Sequence, residues 1–306
     1  MRVAVFGGTG FVGSYLIDAL IAAGHEPSVL VRPGSEHKLR QAVHCRTISG
    51  DLTSTSAIDA ILEDCSAIIY CVGILREYPN RGITFEDLQF NAVVRVAELA
   101  EAHGISRLLL MSANGAKVPG TRYQETKFRA EQHVKDAGFE VTIFRPSVIF
   151  GDPRGTLEIA TQLCRDMITP PLPAVGFFAG WHPTRGKIQM SPVHVGDVAL
   201  AFVRALEDPA AVGETYELGG PEALDWVEML RRIGQAVGRD KWILPMPLGL
   251  MKIAATLFDR LPFFPVTRDQ LTMLAEGNTA DPAALKLLIG KRPAAFVSQN
   301  LTYLGS

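Results

Sequence analysis

Cysteine is scarce in this chain. Four occur in 306 residues, Cys45, Cys65, Cys71 and Cys164, and no two form a CxxC pair. That excludes a disulfide-stapled scaffold and a dithiol redox motif, and it points to a reduced, cytoplasmic compartment. Metal-ligand clusters are lacking too. His194 has no acidic partner at ligand spacing and no His/Cys cluster occurs, so no metal site is expected. Neither sign of charge dominates. The 30 Lys and Arg against 32 Asp and Glu leave a net charge of −2 and a sequence pI of about 6.4, with no basic surplus to hold a nucleic-acid backbone.

No run is fit for a membrane span. The longest nearly uncharged stretch, residues 243–258 (ILPMPLGLMKIAATLF), contains Lys252, two prolines and a glycine. It falls short of the ~20 apolar residues that a spanning helix needs. A buried or surface-seeking helix is expected there. The apolar start lacks the basic n-region and cleavage site of a signal peptide, so no targeting segment is expected. With 47% hydrophobic and 20% charged residues the chain is globular, and its length allows one large domain or two modest ones.

What is present is organised around the first thirteen residues. RVAVF (2–6) reads as a strand, GGTGFVG (7–13) as a glycine loop, and residues 15–23 as an apolar-periodic helix. Strand, loop, helix is the order a nucleotide phosphate site needs. Gly7 allows a tight turn. Gly10 lets the backbone approach a pyrophosphate, and Gly13 lets the helix pack close to the strand. Thr9, Phe11 and Val12 stand with them at the helix start, where unpaired N–H groups and the positive end of the dipole face the phosphates.

Residues 25–31 (HEPSVLV) read as a second strand ending at Arg32. An acidic residue here would accept from the ribose 2′-hydroxyl, whereas an arginine accommodates a 2′-phosphate. Arg32, with Lys38 six residues on and no competing acid, favours NADP(H), with NAD(H) as the alternative. A third strand, 46–48, leads to Asp51 and Leu52, placed to touch the adenine edge. A helix over 54–62 follows. The apolar run AIIYCV (67–72) reads as a central strand covered on both faces. It ends at Val72 and Gly73, where a missing side chain would let a ribose or nicotinamide lie against the backbone. A polar loop (77–84), a helix over 85–103 containing Asn91, and a strand RLLLM (107–111) ending at Ser112 complete five strand–helix units. Such alternation implies an α/β fold: a Rossmann doubly wound parallel sheet, with ligands beyond the carboxyl ends of its strands.

Thr121 and Gln124 have capping-box spacing, so a helix starts there. Tyr123 and Lys127 are then i,i+4 neighbours on one face. A free phenol has a pKa of about 10, and a nearby cation can lower it by ~1–3 units. The lysine can also bind ribose hydroxyls, and Ser112 can hold a substrate oxygen. The catalytic set expected is therefore Tyr123, Lys127 and Ser112.

In the second half, 141–150 reads as strand six. Residues 169–187 read as a substrate-facing loop in which Phe177, Phe178, Trp181 and His182 either line an apolar pocket or pack the loop onto the core. Helices are expected over 197–206, 225–237 and near 267–275, and a last sheet strand over 214–218. The domains drawn are 1–151 plus 188–219 for the dinucleotide, and 152–187 plus 220–306 for a smaller C-terminal, substrate-side subdomain.

These residues carry a family resemblance. GGTGFVG, GDL at Asp51, YCVG at Gly73, Ser112 and YQETK at Tyr123 and Lys127 resemble the short-chain dehydrogenase/reductase superfamily. RPSVIFG (145–151), which includes Pro146, is similar to the R-P-x-x-(V/I)-(Y/F)-G segment of the extended and atypical members, the NAD-dependent epimerase/dehydratase-like proteins. GILRE, PVHVGDVA and LPMPLGLMKIAA resemble the atypical branch that includes the nucleotide-binding accessory subunit of respiratory complex I. The resemblance implies a bound NAD(P)(H), with Pro146 beside it, and sets three readings side by side. The first is an oxidoreductase with Tyr–Lys acid/base chemistry on an apolar, quinone-related small molecule. The second is a non-catalytic NADP(H)-binding accessory protein with a membrane-associated partner, peripheral to the inner face of the membrane. The third is a sugar-nucleotide epimerase or dehydratase.

Overall fold

The computed structural model describes residues 1–180, 186–251 and 268–305. Strands and helices alternate from the N-terminus: β1 (Arg2–Phe6), α1 (Phe11–Ala22), β2 (Glu26–Val31), β3 (Arg46–Ser49), α2 (Thr55–Leu62), β4 (Ala67–Tyr70), α3 (Ala92–Ala102), β5 (Arg107–Met111), α4 (Arg122–Asp136) and β6 (Glu140–Pro146). With Thr215–Leu218 at one edge they form a seven-stranded sheet in the order edge–β6–β5–β4–β1–β2–β3. Adjacent strands from β1 to β6 pair in parallel. Chain order reverses between β1 and β4, which makes the crevice at their carboxyl ends the place for a ligand.

Burial explains why these segments are strands. Val3, Ala4, Val5 and Phe6 in β1 and Ala67, Ile68 and Ile69 in β4 have no exposed surface, because helices cover both faces. Ile58, Ile61, Val93 and Val96 supply the apolar stripes of α2 and α3 that pack there, each removing surface worth about 1.5–3 kcal/mol from water. Ser54 caps α2 by accepting from Ala57 N.

The chain divides into two compact units, Met1–Pro146 with Gly196–Glu217, and Ser147–Val195 with Leu218–Ser306. Residues 147–151, 188–195 and 218–219, which the sequence groups with the first domain, cluster with the second. The expected strand over 141–150 accordingly breaks in two. Pro146 has no N–H to continue the ladder, and Ile149–Phe150 pairs instead with Val193–His194.

The second unit has its own core around Phe150, Leu163, Phe177, Trp226, Met229 and Phe296. Its helix Trp226–Ala236 is capped by Asp225, which accepts from Glu228 N at 2.8 Å. Phe177 and Phe178 are buried in the strand Ala174–Phe178, with Phe177 tilted against Trp226 at 5.6 Å. Trp181 and His182 lie outside the described residues. The helix expected over 243–258 does not begin at residue 243. Ile243–Pro247 is a strand, paired in parallel with Ala174–Phe178. Prolines 245 and 247 lack the N–H a helix needs but fit an edge strand. Residues 248–251 turn helical after it, so part of the expected helix forms, while residues 252–258, including Lys252, and residue 267 lie outside the described residues. The last long helices are Arg268–Glu276 and Pro282–Ile289.

Candidate functional site

The glycine loop is shaped by contact. Gly7 has φ +98°, and a Cβ there would stand 3.0 Å from Cys71 Sγ and 3.1 Å from Val72 N, so the ends of β1 and β4 touch. A Cβ on Gly13 would stand 2.0 Å from Gly7 O, and one on Gly10 3.3 Å from the same atom. Gly10 N donates to Gly7 O at 3.0 Å. Gly10 is the N-cap of α1, with no side-chain cap and no acid in the first turn. Thr9 and Phe11 are half-buried beside it, and Val12 is buried. The start of α1 thus presents backbone donors and a positive dipole end with no built-in anion.

At the ends of β2 and β3, Arg32, Lys38 and Asp51 are exposed and Leu52 is half-buried. The Asp51 carboxylate accepts from Thr53 Oγ1 at 2.5 Å and Thr53 N at 2.8 Å. These bonds, with a smaller pull from Arg32, hold it below the usual carboxylate range.

The ends of β4, β5 and β6 converge on α4. Its start is a complete capping box: Thr121 Oγ1 accepts from Gln124 N and Gln124 Oε1 accepts from Thr121 N. Lys127 is buried, and its Nζ donates to Met111 O at 2.9 Å and Val72 O at 3.3 Å. A Cβ on Gly73 would stand 3.5 Å from that Nζ. Burial lowers Lys127 from its ordinary 10.5 to about 8. Ser112 follows Met111; its N donates to Phe144 O at 2.7 Å, and its Oγ is buried with no hydrogen-bond partner. Pro146 is buried at the end of β6, and its carbonyl accepts from Asn114 N. Tyr123 is half-buried, edge-on to Phe85 at 5.6 Å.

One expectation fails here. Lys127 does not lower the Tyr123 phenol; burial pushes Tyr123 up to about 12. The ammonium that was to act on it is engaged by two backbone carbonyls instead.

A dinucleotide fits this arrangement. Gly13 lets α1 press against the loop backbone, and Gly10 leaves the start of α1 bare of any side chain where a pyrophosphate would lie. Two of three Lys127 N–H groups are used by carbonyls, and the Ser112 hydroxyl is unsatisfied.

The model of the NAD dependent epimerase/dehydratase family matches residues 3–219. The chain belongs to that family. It is 30% identical over 291 residues to subunit 9 of the mitochondrial NADH dehydrogenase (ubiquinone) 1 alpha subcomplex of Arabidopsis thaliana, covering 90% of this chain and 68% of that protein. It is 25% identical over 262 residues to the ceramide reductase of Caulobacter vibrioides, covering 84% of this chain and 77% of that protein. Among solved structures, the Thermus thermophilus UDP-glucose 4-epimerase in complex with NAD superposes with a TM-score of 0.72 at 19% identity, over 100% of this chain and 98% of that one. That likeness is one of fold.

Within this epimerase/dehydratase chain the sequence left several residues unread. Gly8 is one: a Cβ there would stand 2.6 Å from Val29 Cγ1. Gln89 and Thr126 are two more, buried and bonded to each other at 3.1 Å. The bidentate pair of Arg145 with Glu131, at 2.9 and 2.6 Å, is another; the Glu131 side chain is fully enclosed. Only the spacing of Glu131 on the Lys127 face of α4 hinted at it. Among the described residues, no group of three or more His, Cys, Asp or Glu could hold a metal, and no helix is long and apolar enough to cross a membrane.

Proposed function

We propose that the chain is an NAD(P)H-dependent oxidoreductase acting on an apolar carbonyl or hydroxyl compound. The observation that carries this reading is the Ser112 hydroxyl, buried and unpartnered one residue beyond the carbonyl that holds Lys127. An unmade buried hydrogen bond costs about 1–3 kcal/mol. Such a group is retained where a ligand oxygen completes it.

The residues divide the work by position. Gly7, Thr9, Gly10, Phe11, Val12 and Gly13 receive the pyrophosphate. Arg32 and Lys38 meet a 2′-phosphate, and Asp51 and Leu52 meet the adenine. Val72, Gly73 and Pro146 back the nicotinamide riboside, and the third Lys127 N–H meets a ribose hydroxyl. The nicotinamide, when bound, supplies or accepts hydride. Ser112 Oγ donates to the substrate oxygen and fixes its place. Tyr123, held protonated by its raised pKa, keeps a proton at its Oη for the oxygen that becomes an alcohol.

A second reading has its own support. The alpha subcomplex relative is by name a subunit of a mitochondrial NADH dehydrogenase (ubiquinone), and the phenol here is not activated by Lys127. On this reading NADP(H) is a bound structural ligand and the partner is a membrane-associated protein.

The test begins with mass spectrometry of ligand released from gently purified protein, which separates NADP(H) from NAD(H). NADPH consumption is then followed with a panel of apolar ketones and quinones. Tyr123→Phe should lower turnover by about 10²–10⁴-fold and leave cofactor affinity unchanged. Unchanged turnover would remove Tyr123 from the chemistry. A tightly held cofactor with no turnover on any panel member, in protein that sediments with membranes, would replace the enzyme reading by the second.

A further inference from the structure

Residues Glu86–Asn91 form a π-helical turn directly before α3. The wider turn departs from the α-helix that periodicity implies, and such turns recur at functional sites. Here it turns Gln89 inward, where the side chain is 1% exposed. Gln89 Nε2 donates to Ile74 O at 2.9 Å. Thr126 Oγ1 lies 3.1 Å from Gln89 Oε1. The amide orientation follows from chemistry: Ile74 O can only accept, so the nitrogen faces it and the oxygen faces the hydroxyl. The turn is held at its back by the Tyr70 hydroxyl, which donates to Leu88 O at 2.5 Å.

Both ends of this brace lie at the proposed site. Ile74 adjoins Gly73, and Thr126 adjoins Lys127. The Thr126 hydroxyl also lies 2.9 Å from Arg122 O and 3.1 Å from Tyr123 O, within the turn that carries the tyrosine. Lys127 ties the same two segments a second time through Val72 O. The backbone at 72–74 and the second turn of α4 are therefore cross-linked twice, once by a charge and once by an amide.

We propose that Gln89 is a positioning residue for the nicotinamide half of the dinucleotide, setting the distance between the Gly73 backbone and the Lys127 turn of α4. It touches neither substrate nor reacting atoms. This rests on the dinucleotide reading above. The adenosine half meets residues 7–13, Arg32 and Asp51, and none of these is bonded to Gln89.

That division gives the experiment. Wild type, Gln89→Leu and Thr126→Val are titrated with NADPH and with 2′,5′-ADP, the adenosine half alone (or NADH and ADP where the released ligand is NAD). Gln89→Leu should weaken NADPH about tenfold, from one lost hydrogen bond and one orphaned carbonyl, and leave 2′,5′-ADP unchanged. Thr126→Val keeps the shape, removes one end of the brace, and should show the same split to a smaller degree, so the question stays open to measurement if Gln89→Leu fails to fold. Equal weakening of both ligands would make Gln89 a purely structural residue and overturn the proposal. No change in either would overturn it too. Wild type that binds neither ligand would instead defeat the dinucleotide reading itself.

Discussion

Replacing Lys127 by methionine should make the ligand-free protein more stable at neutral pH and less stable at alkaline pH. Lys127 is buried, and burial lowers it from 10.5 to about 8. The unfolded chain holds its proton up to the ordinary value, so between about 8 and 10.5 the unfolded state binds more protons and stability rises with pH. Below that window both states are charged, and keeping the ammonium buried costs the fold about 3 kcal/mol at ~1.4 kcal/mol per pH unit. Methionine removes that cost. It also removes the bonds to Met111 O and Val72 O, each worth about 1 kcal/mol net. The balance at about pH 7 is a gain of about 1–2 kcal/mol. At about pH 10 the charge cost has fallen below ~1 kcal/mol, the lost bonds remain, and the variant becomes the weaker protein by about 1 kcal/mol.

Urea melts of both proteins at the two pH values test this, because other titrating groups cancel in the difference. Saturating NADPH adds a second arm. At 100-fold over Kd it should stabilise the wild type by about 2.7 kcal/mol and leave the variant almost unmoved, which reverses the neutral-pH order. A variant less stable than wild type at both pH values without ligand would show that the two carbonyls fully compensate the buried charge, and the reasoning would fail.

Two further perturbations separate cradle from scaffold. Gly10→Ala places a Cβ 3.3 Å from Gly7 O, which a small shift can absorb, whereas Gly13→Ala places one at 2.0 Å from the same atom. Gly10→Ala should fold with near-normal stability and bind NADPH at least about tenfold more weakly, while Gly13→Ala should lose about 3 kcal/mol or more; fluorescence titration and thermal melts would show equal behaviour if the loop were only a turn. Glu131→Ala leaves the Arg145 guanidinium, 21% exposed, without its carboxylate. A loss of about 3–5 kcal/mol is expected in denaturant melts, and a loss under ~1 kcal/mol would mean that water takes over the pairing.

Much of the first unit could be read from sequence, for identifiable reasons. The strand Arg107–Met111 and the capping box of α4 are both local patterns, an apolar run and a four-residue spacing, and both form as expected. Elements whose identity depends on distant partners could not be read. The run from residue 243 is apolar enough for helix or strand, and what decides is a register with Ala174–Phe178 about 70 residues away. Residues 149–150 look like a continuation of strand six but leave it to pair with Val193–His194, more than 40 residues on. The tight fit at Gly8 depends on Val29 in the neighbouring strand, which no loop motif specifies.

The site divides along the same line, and chemistry makes the division sharper. Spacing shows that Tyr123 and Lys127 share a face of α4, and it supports a lysine acting on a phenol. It says nothing about the dielectric around either group. The fold buries Lys127 and half-buries Tyr123, and that enclosure raises the phenol and lowers the ammonium. A lysine near 8 still carries charge at neutral pH, and two carbonyls fix where that charge sits. The structural consequence is a cation held in place by backbone, with one N–H beyond the two that the carbonyls take. On the dinucleotide reading proposed above, its role is to hold the ligand first, and any influence on Tyr123 waits until that ligand completes the hydrogen bonds around Ser112.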